Sequence, residues 1–188
     1  MAHFFTTLFA DFTENIPAQL LGFVAMGIYF LSYQFNSSRK TVLFQFFSSW
    51  LYAVHFFWLG APAGTVVNIF AVLSAAVFYF RAEKKWAATP LWPILFIAAA
   101  TVFTLQNWQG PLSLLPIFSF VCSRAALWSR NARITRIFAL PASVLFLIYD
   151  FASHSYAGTL TEIFALISLL IAFIRFDLLK LRQAEQHS

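Results

Sequence analysis

Polar residues are rare along this chain and they fall at intervals. Long apolar runs separate them, covering approximately 17–35, 42–59, 64–82, 90–107, 111–128, 136–152 and 158–177. Runs of about 20 apolar residues match the thickness of a bilayer, so each predicts a transmembrane helix. The connections between them are short: Asn36–Thr41, Gly60–Ala63, Glu83–Thr89, Trp108–Gly110, Ser129–Thr135 and Ser153–Ala157. Met1–Ile16 sets Phe4, Phe5, Leu8, Phe9 and Phe12 at helical spacing ahead of Pro17, which reads as a short interfacial segment or a frayed terminus.

The runs repeat. Ala63–Arg81 (AGTVVNIFAVLSAAVFYFR) returns 94 residues later as Ala157–Arg175 (AGTLTEIFALISLLIAFIR), with eight of nineteen positions identical. The same offset pairs Pro17 with Pro111, Arg39 with Arg133, Ser49 with Ser143 and Phe57 with Phe151. Over Pro17–Arg81 it produces 17 identities in 65 positions, where chance in so skewed a composition would give roughly 5. The expected architecture is an all-α membrane protein of seven transmembrane helices in a three-one-three order. Its parts are an N-terminal segment 1–16, a three-helix repeat 17–82, a linker with the fourth helix 83–110, a second three-helix repeat 111–177 and a tail 178–188. Three helices are an odd number, so a direct fusion would invert the second unit. The fourth helix restores its orientation and makes the repeats parallel.

Composition agrees with a lipid solvent: 61% of the 188 residues are hydrophobic and 10% are charged, against about 25% charged in an ordinary soluble domain. The twelve Lys and Arg fall on or within a turn of alternate connections: Arg39 and Lys40; Arg81, Lys84 and Lys85; Arg124, Arg130, Arg133 and Arg136; Arg175, Lys180 and Arg182. The opposite side carries Asp11, Glu14 and Asp150 instead. This bias predicts the N-terminus outside, the C-terminus in the cytoplasm and a multi-pass protein of the cytoplasmic membrane. It accounts for the net charge of +5 without a nucleic-acid partner. One cysteine, Cys122, makes neither an intrachain disulfide nor a metal site. No metal, cofactor or cleavable signal peptide is expected.

Few residues inside the membrane can carry chemistry. Glu162 sits about 7 Å inside its helix, where an ionised carboxyl is costly unless paired or wet, so it should face the bundle interior as a solute contact or proton-coupling group. Asn68 occupies the equivalent position in the first repeat and reads as a solute contact or as interhelical glue. His55, at similar depth, pairs with one of these two or serves packing. Asp150 and Tyr149 read as residues of a cavity mouth, and Tyr52, Trp58 and Tyr149 wall a cavity or belong to the aromatic belt. Arg81, Arg124 and Arg175 are expected to snorkel to the headgroups. Pro116 and Pro141 fall inside runs and predict kinks. The threonines of Gly64-Thr65 and Gly158-Thr159 are expected to satisfy free backbone groups at helix starts.

Val54-His55-Phe56-Phe57-Trp58-Leu59-Gly60, Pro62-Ala63-Gly64 and Asn68, with Leu114-Leu115-Pro116, Gly158-Thr159 and Glu162, resemble the YgjV family of bacterial inner-membrane proteins. The three-one-three order is similar to that of SWEET sugar transporters and of their dimeric half-size relatives, the SemiSWEETs. The resemblance implies an asparagine on the third helix of each unit facing a central cavity. Asn68 matches and Glu162 departs, which turns expectation from sugar toward proton coupling or a cationic solute. The leading expectation is a carrier for a small polar solute. The alternative is a non-transport binding, sensor or accessory protein of the same fold. An enzyme is not expected, because the sparse polar residues do not supply a nucleophile, a base and an orienting group together. One chain would be complete by itself, and a homodimer stays open.

Overall fold

The computed structural model describes Thr13 and residues 15–32, 38–129 and 132–174. Residues 1–12 and 14 of the expected N-terminal segment 1–16 and the whole expected tail 178–188, with Arg130, Arg175, Lys180 and Arg182, lie outside the described residues. Among the described residues seven α-helices follow in chain order: α1 (Ile16–Ser32), α2 (Ser38–Trp58), α3 (Pro62–Tyr79), α4 (Leu91–Gln106), α5 (Leu114–Trp128), α6 (Ala132–Ala152) and α7 (Tyr156–Phe173). Helices are what an apolar solvent demands, since each satisfies its own backbone groups. Four stretches, Pro62–Tyr79, Pro111–Trp128, Arg133–Ala152 and Tyr156–Phe173, are long and apolar enough to cross a membrane, and three apolar helices are a little shorter. At most 39% of any of those four stretches is buried within the protein, so the rest needs lipid. Large apolar side chains such as Phe57, Leu91, Ile94 and Phe151 accordingly point outward.

The helices close a ring. α2 packs between α1 and α3, and α6 between α5 and α7. α1 meets α7, α3 meets α5, and α4 leans on both α3 and α5. The α4 seam is apolar, with Val67 and Ala71 of α3, Phe96 and Ala100 of α4 and Phe120 of α5 in one cluster. Close approach elsewhere depends on small residues with a hydroxyl tie. Ser48 Oγ of α2 donates to the Ala25 carbonyl of α1 at 2.9 Å, and Ser119 Oγ of α5 to the Ala142 carbonyl of α6 at 2.8 Å.

α2 and α6 end alike. The amide of Ala61 donates to the Phe56 carbonyl at 2.9 Å and that of Gly60 to Phe57 at 3.1 Å; the amide of Ser155 donates to Asp150 at 2.9 Å and that of His154 to Phe151 at 3.3 Å. Both are Schellman stops, which need a left-handed residue after the helix. Gly60 supplies it at φ +66° and His154 at φ +55°. The next helices then start at once, α3 with Pro62 in its first turn and α7 with Ser155 as cap, whose Oγ accepts from the Gly158 amide at 3.2 Å.

Two local expectations change. Pro116 is the third residue of α5, in the first turn, where a missing amide hydrogen breaks no helical bond; Pro141 lies inside α6. Thr65 and Thr159 do not cap. Each hydroxyl donates back to the carbonyl four residues earlier, Ala61 at 3.1 Å and Ser155 at 2.8 Å.

Candidate functional site: a central cavity closed at one end

The ring encloses a cavity of about 1270 Å³. Its wall runs from Tyr52, Asp150 and Gly158 at one end to Arg39, Arg81 and Glu83 at the other. The Arg39 and Glu83 side chains are 49% and 47% exposed, whereas Tyr52 is 9% and Asp150 1% exposed. The cavity therefore opens at the end that carries the basic connections and is shut at the opposite one.

Asn68 and Glu162 both line it. Asn68 Nδ2 is anchored to the Gly64 carbonyl of its own helix at 2.9 Å, which leaves the amide oxygen as an acceptor. The Glu162 carboxyl lies close to the Ser143 side chain of α6. Toward the shut end, Tyr52 Oη and Thr161 Oγ1 lie 2.7 Å apart and join α2 to α7. The side chains of Tyr52, Asp150 and Glu162 thus gather within electrostatic reach of one another.

Asp150 and Tyr149 were expected at a solvated mouth; the structure buries both at the shut end, at 1% and 5% exposure. The cause is the tight α6–α7 turn, which folds α7 back over the end of α6. A Cβ on Gly158 would stand 2.6 Å from Asp150 Cγ, so the helix backbone lies directly against the carboxyl. Neither Asp150 oxygen has a hydrogen-bond partner among the described residues, and its wall position makes it a polar group aimed at the cavity. Trp58 is 52% exposed, on the lipid side.

His55 does not pair with Asn68 or Glu162. It is fully buried, with Nδ1 2.7 Å from the Ala18 carbonyl of α1 and Nε2 2.8 Å from Ser155 Oγ at the α7 cap. Both ring nitrogens are therefore spent inside the fold. A Cβ on Gly22 would come within 2.9 Å of this ring, so α1 needs glycine there. Tyr149 makes the matching reach in the other direction: its hydroxyl accepts from the Gly64 amide in the first turn of α3 at 2.8 Å. Gln19, buried on α1, grips the α6–α7 turn with both ends of its amide, donating to the His154 carbonyl at 2.7 Å and accepting from the Tyr156 amide at 3.2 Å. Four side chains, Gln19, Tyr52, His55 and Tyr149, thereby tie the first three helices to the last three at the shut end.

Two arginines also depart from expectation. Arg81 stays at the basic end, but it binds the last carbonyls of α5 (Nη1 to Leu127 at 3.4 Å, Nη2 to Trp128 at 3.1 Å) and stacks over the Trp128 ring at 3.8 Å. It answers the negative end of that helix. Arg124 does not snorkel. It is 8% exposed, lines the cavity and donates through Nη1 to the Ser74 hydroxyl of α3. Among the described residues no group of three or more His, Cys, Asp and Glu could hold a metal ion.

A helical bundle with lipid-facing apolar surface around a large interior cavity defines a polytopic membrane protein. The chain belongs to the Imp-YgjV family of bacterial inner membrane proteins, whose match covers residues 16–180. It is a protein of the bacterial inner membrane. No curated protein and no solved structure matches it.

Proposed function

We propose that the chain is a carrier for a small polar solute, which binds in the central cavity between two parallel three-helix units. The observation that carries the reading is the cavity itself, lined by Asn68 and Glu162 together and open at one end only. The parallel repeat is supported by contacts that recur at the 94-residue offset. Ala25 and Ser48 answer to Ser119 and Ala142, whose hydroxyl tie is kept with donor and acceptor exchanged. Gly60 answers to His154 at matching positive φ. His55 answers to Tyr149, and each reaches the start of the other unit's third helix. With the basic end in the cytoplasm, this conformation is inward-open, and the four ties at the shut end form the outer gate. Alternating access would break those ties and rock one unit against the other.

The reading includes no covalent step. Solute contact falls to Asn68, Glu162 and Tyr52, with Glu162 and Asp150 as the protonatable pair. His55 and Tyr149 act as gate struts. One chain contains both units and so completes the site. The second reading is a binding or sensor protein whose outer end never opens. The number of ties at that end favours it, since each stabilises the shut form.

A thermal-shift screen of the purified protein against sugars, amino acids and cations tests the site. The expected result is a ligand that raises Tm and loses its effect with Glu162→Gln. A ligand whose effect survives that change sinks the role given to Glu162. Uptake of the same ligand into proteoliposomes separates carrier from sensor.

A further inference from the structure

Arg124 is a charge that the fold does not neutralise. It sits on α5 with Nη1 on the Ser74 hydroxyl and its guanidinium 4.9 Å from the centre of the Phe120 ring. Its Nε has no hydrogen-bond partner. Among the described residues no carboxylate forms an ion pair with Arg124. Leaving a buried cation uncompensated costs several kcal/mol. Tying α5 to α3 does not need that cost, because a neutral amide would make the same bond to Ser74. The side chain lines the cavity, so an anion entering it would supply the missing partner.

We propose that Arg124 is the carboxylate-binding subsite of the cavity and that the solute is a small zwitterion of the amino-acid type, its ammonium group facing Glu162. The inference rests on the solute-site reading above and adds the ligand class. The guanidinium fork suits a planar oxyanion better than a lysine would. Ser74, which Arg124 holds, is six residues beyond Asn68 on α3, about 9 Å along the axis. On the repeat reading Glu162 shares the level of Asn68. An α-amino acid with charged ends roughly 3 Å apart, and a hydrogen bond of about 2.8 Å at each end, reaches about 9 Å, which covers the axial part of that separation. Glu162 and Asp150 lie toward the shut end and Arg124 toward the open one, so the cavity is bipolar along its length. The basic connections around its opening also raise the local concentration of anions.

The test uses purified full-length protein in detergent. The probes are the standard amino acids, their decarboxylated amines, short-chain carboxylates, inorganic phosphate and sucrose. At least one amino acid is expected to raise Tm and to bind at least tenfold tighter than its amine or its deaminated acid. Arg124→Gln should weaken that ligand at least tenfold, and Arg124→Lys should restore only part. In the unmutated protein the same ligand should protect Arg124 from phenylglyoxal, read by peptide mass spectrometry; this arm stands even where Arg124→Gln does not fold. Binding untouched by Arg124→Gln, or no protection of Arg124, overturns the subsite. A sugar or an amine that depends on Glu162 but not on Arg124 overturns it while the cavity remains a solute site. A response to phosphate alone overturns the zwitterion. No response to any probe overturns the inference together with the reading beneath it.

Discussion

Removing one oxygen from the proposed outer gate should tell a moving carrier from a static fold. In Tyr149→Phe the ring stays against Phe56 and Phe146, but the Gly64 amide loses its acceptor at 2.8 Å. That amide lies in the first turn of α3, where no helical carbonyl can replace the phenol. A buried donor left unmade costs about 1–3 kcal/mol. The tie crosses between the first three helices and the last three, so a carrier makes it only while the outer end is shut. The penalty then falls on the shut state alone and moves the equilibrium toward an outward-open state by about 5- to 150-fold. The assay is thiol labelling. The native cysteine is removed as Cys122→Ser and a reporter is placed on the cavity wall as Ala71→Cys. A membrane-impermeant maleimide is then applied to each face of oriented vesicles. Before the change, labelling should come from the basic face. After Tyr149→Phe, labelling from the opposite face should rise while that from the basic face falls. A lower Tm with labelling still confined to the basic face would refute the gate, because the lost bond would then be one the protein never breaks.

Further outcomes follow from the same contacts. His55→Ala deprives both the Ala18 carbonyl and the Ser155 hydroxyl of their partner and should lower stability by about 2–4 kcal/mol; thermal unfolding in detergent reads it, and a loss under ~1 kcal/mol would contradict the two-sided role of the ring. Gly158→Ala would set its Cβ 2.5 Å from Ser155 Oγ and 2.6 Å from Asp150 Cγ, so it should cost about 1–3 kcal/mol by overpacking. Gly27→Ala meets nothing within 4 Å and should instead be neutral or stabilise by about 0.5–1 kcal/mol. Equal Tm values for the two glycine variants would show that the α6–α7 turn is looser than its geometry.

The helices were legible because apolar runs and their turn signals are local facts. Gly60-Ala-Pro62 and the Ser153–Ala157 stretch mark ends that the backbone keeps, down to a left-handed residue in each. What could not be read was which polar residue a neighbouring helix would cover. Asp150 sits near the end of its helix, and by depth alone it belongs to water; the return of α7 over it, permitted by Gly158, is a tertiary event. Arg124 resembled other arginines near an inner helix end, and its sequence neighbours do not reveal that Ser74 stands opposite it. Gln19 and His55 were buried by the same logic. A signal did exist for His55, since the repeat aligns it with Tyr149 and both types can hydrogen-bond at the tip of a ring.

The 94-residue offset in the sequence also bears on how the two ends of the cavity differ. At the shut end, positions 94 residues apart make crossing contacts: His55 with the Ser155 cap, Tyr149 with the uncapped start of α3. Each of these two ties is a single hydrogen bond, at 2.8 Å in both cases, and on the proposed carrier reading both break when the shut end opens. Along the cavity wall the equivalence fails. Arg124 answers to Phe30 and Glu162 to Asn68, so both changes put charge into the second unit alone. A symmetric cavity would hold a solute in either of two orientations related by the pseudo-axis. On the proposed carrier reading, placing the cation and the carboxyl on one unit would select a single orientation, and would let that unit carry the charged contacts while the other rocks past it. A sugar gains nothing from such a division; a dipolar solute is oriented by it.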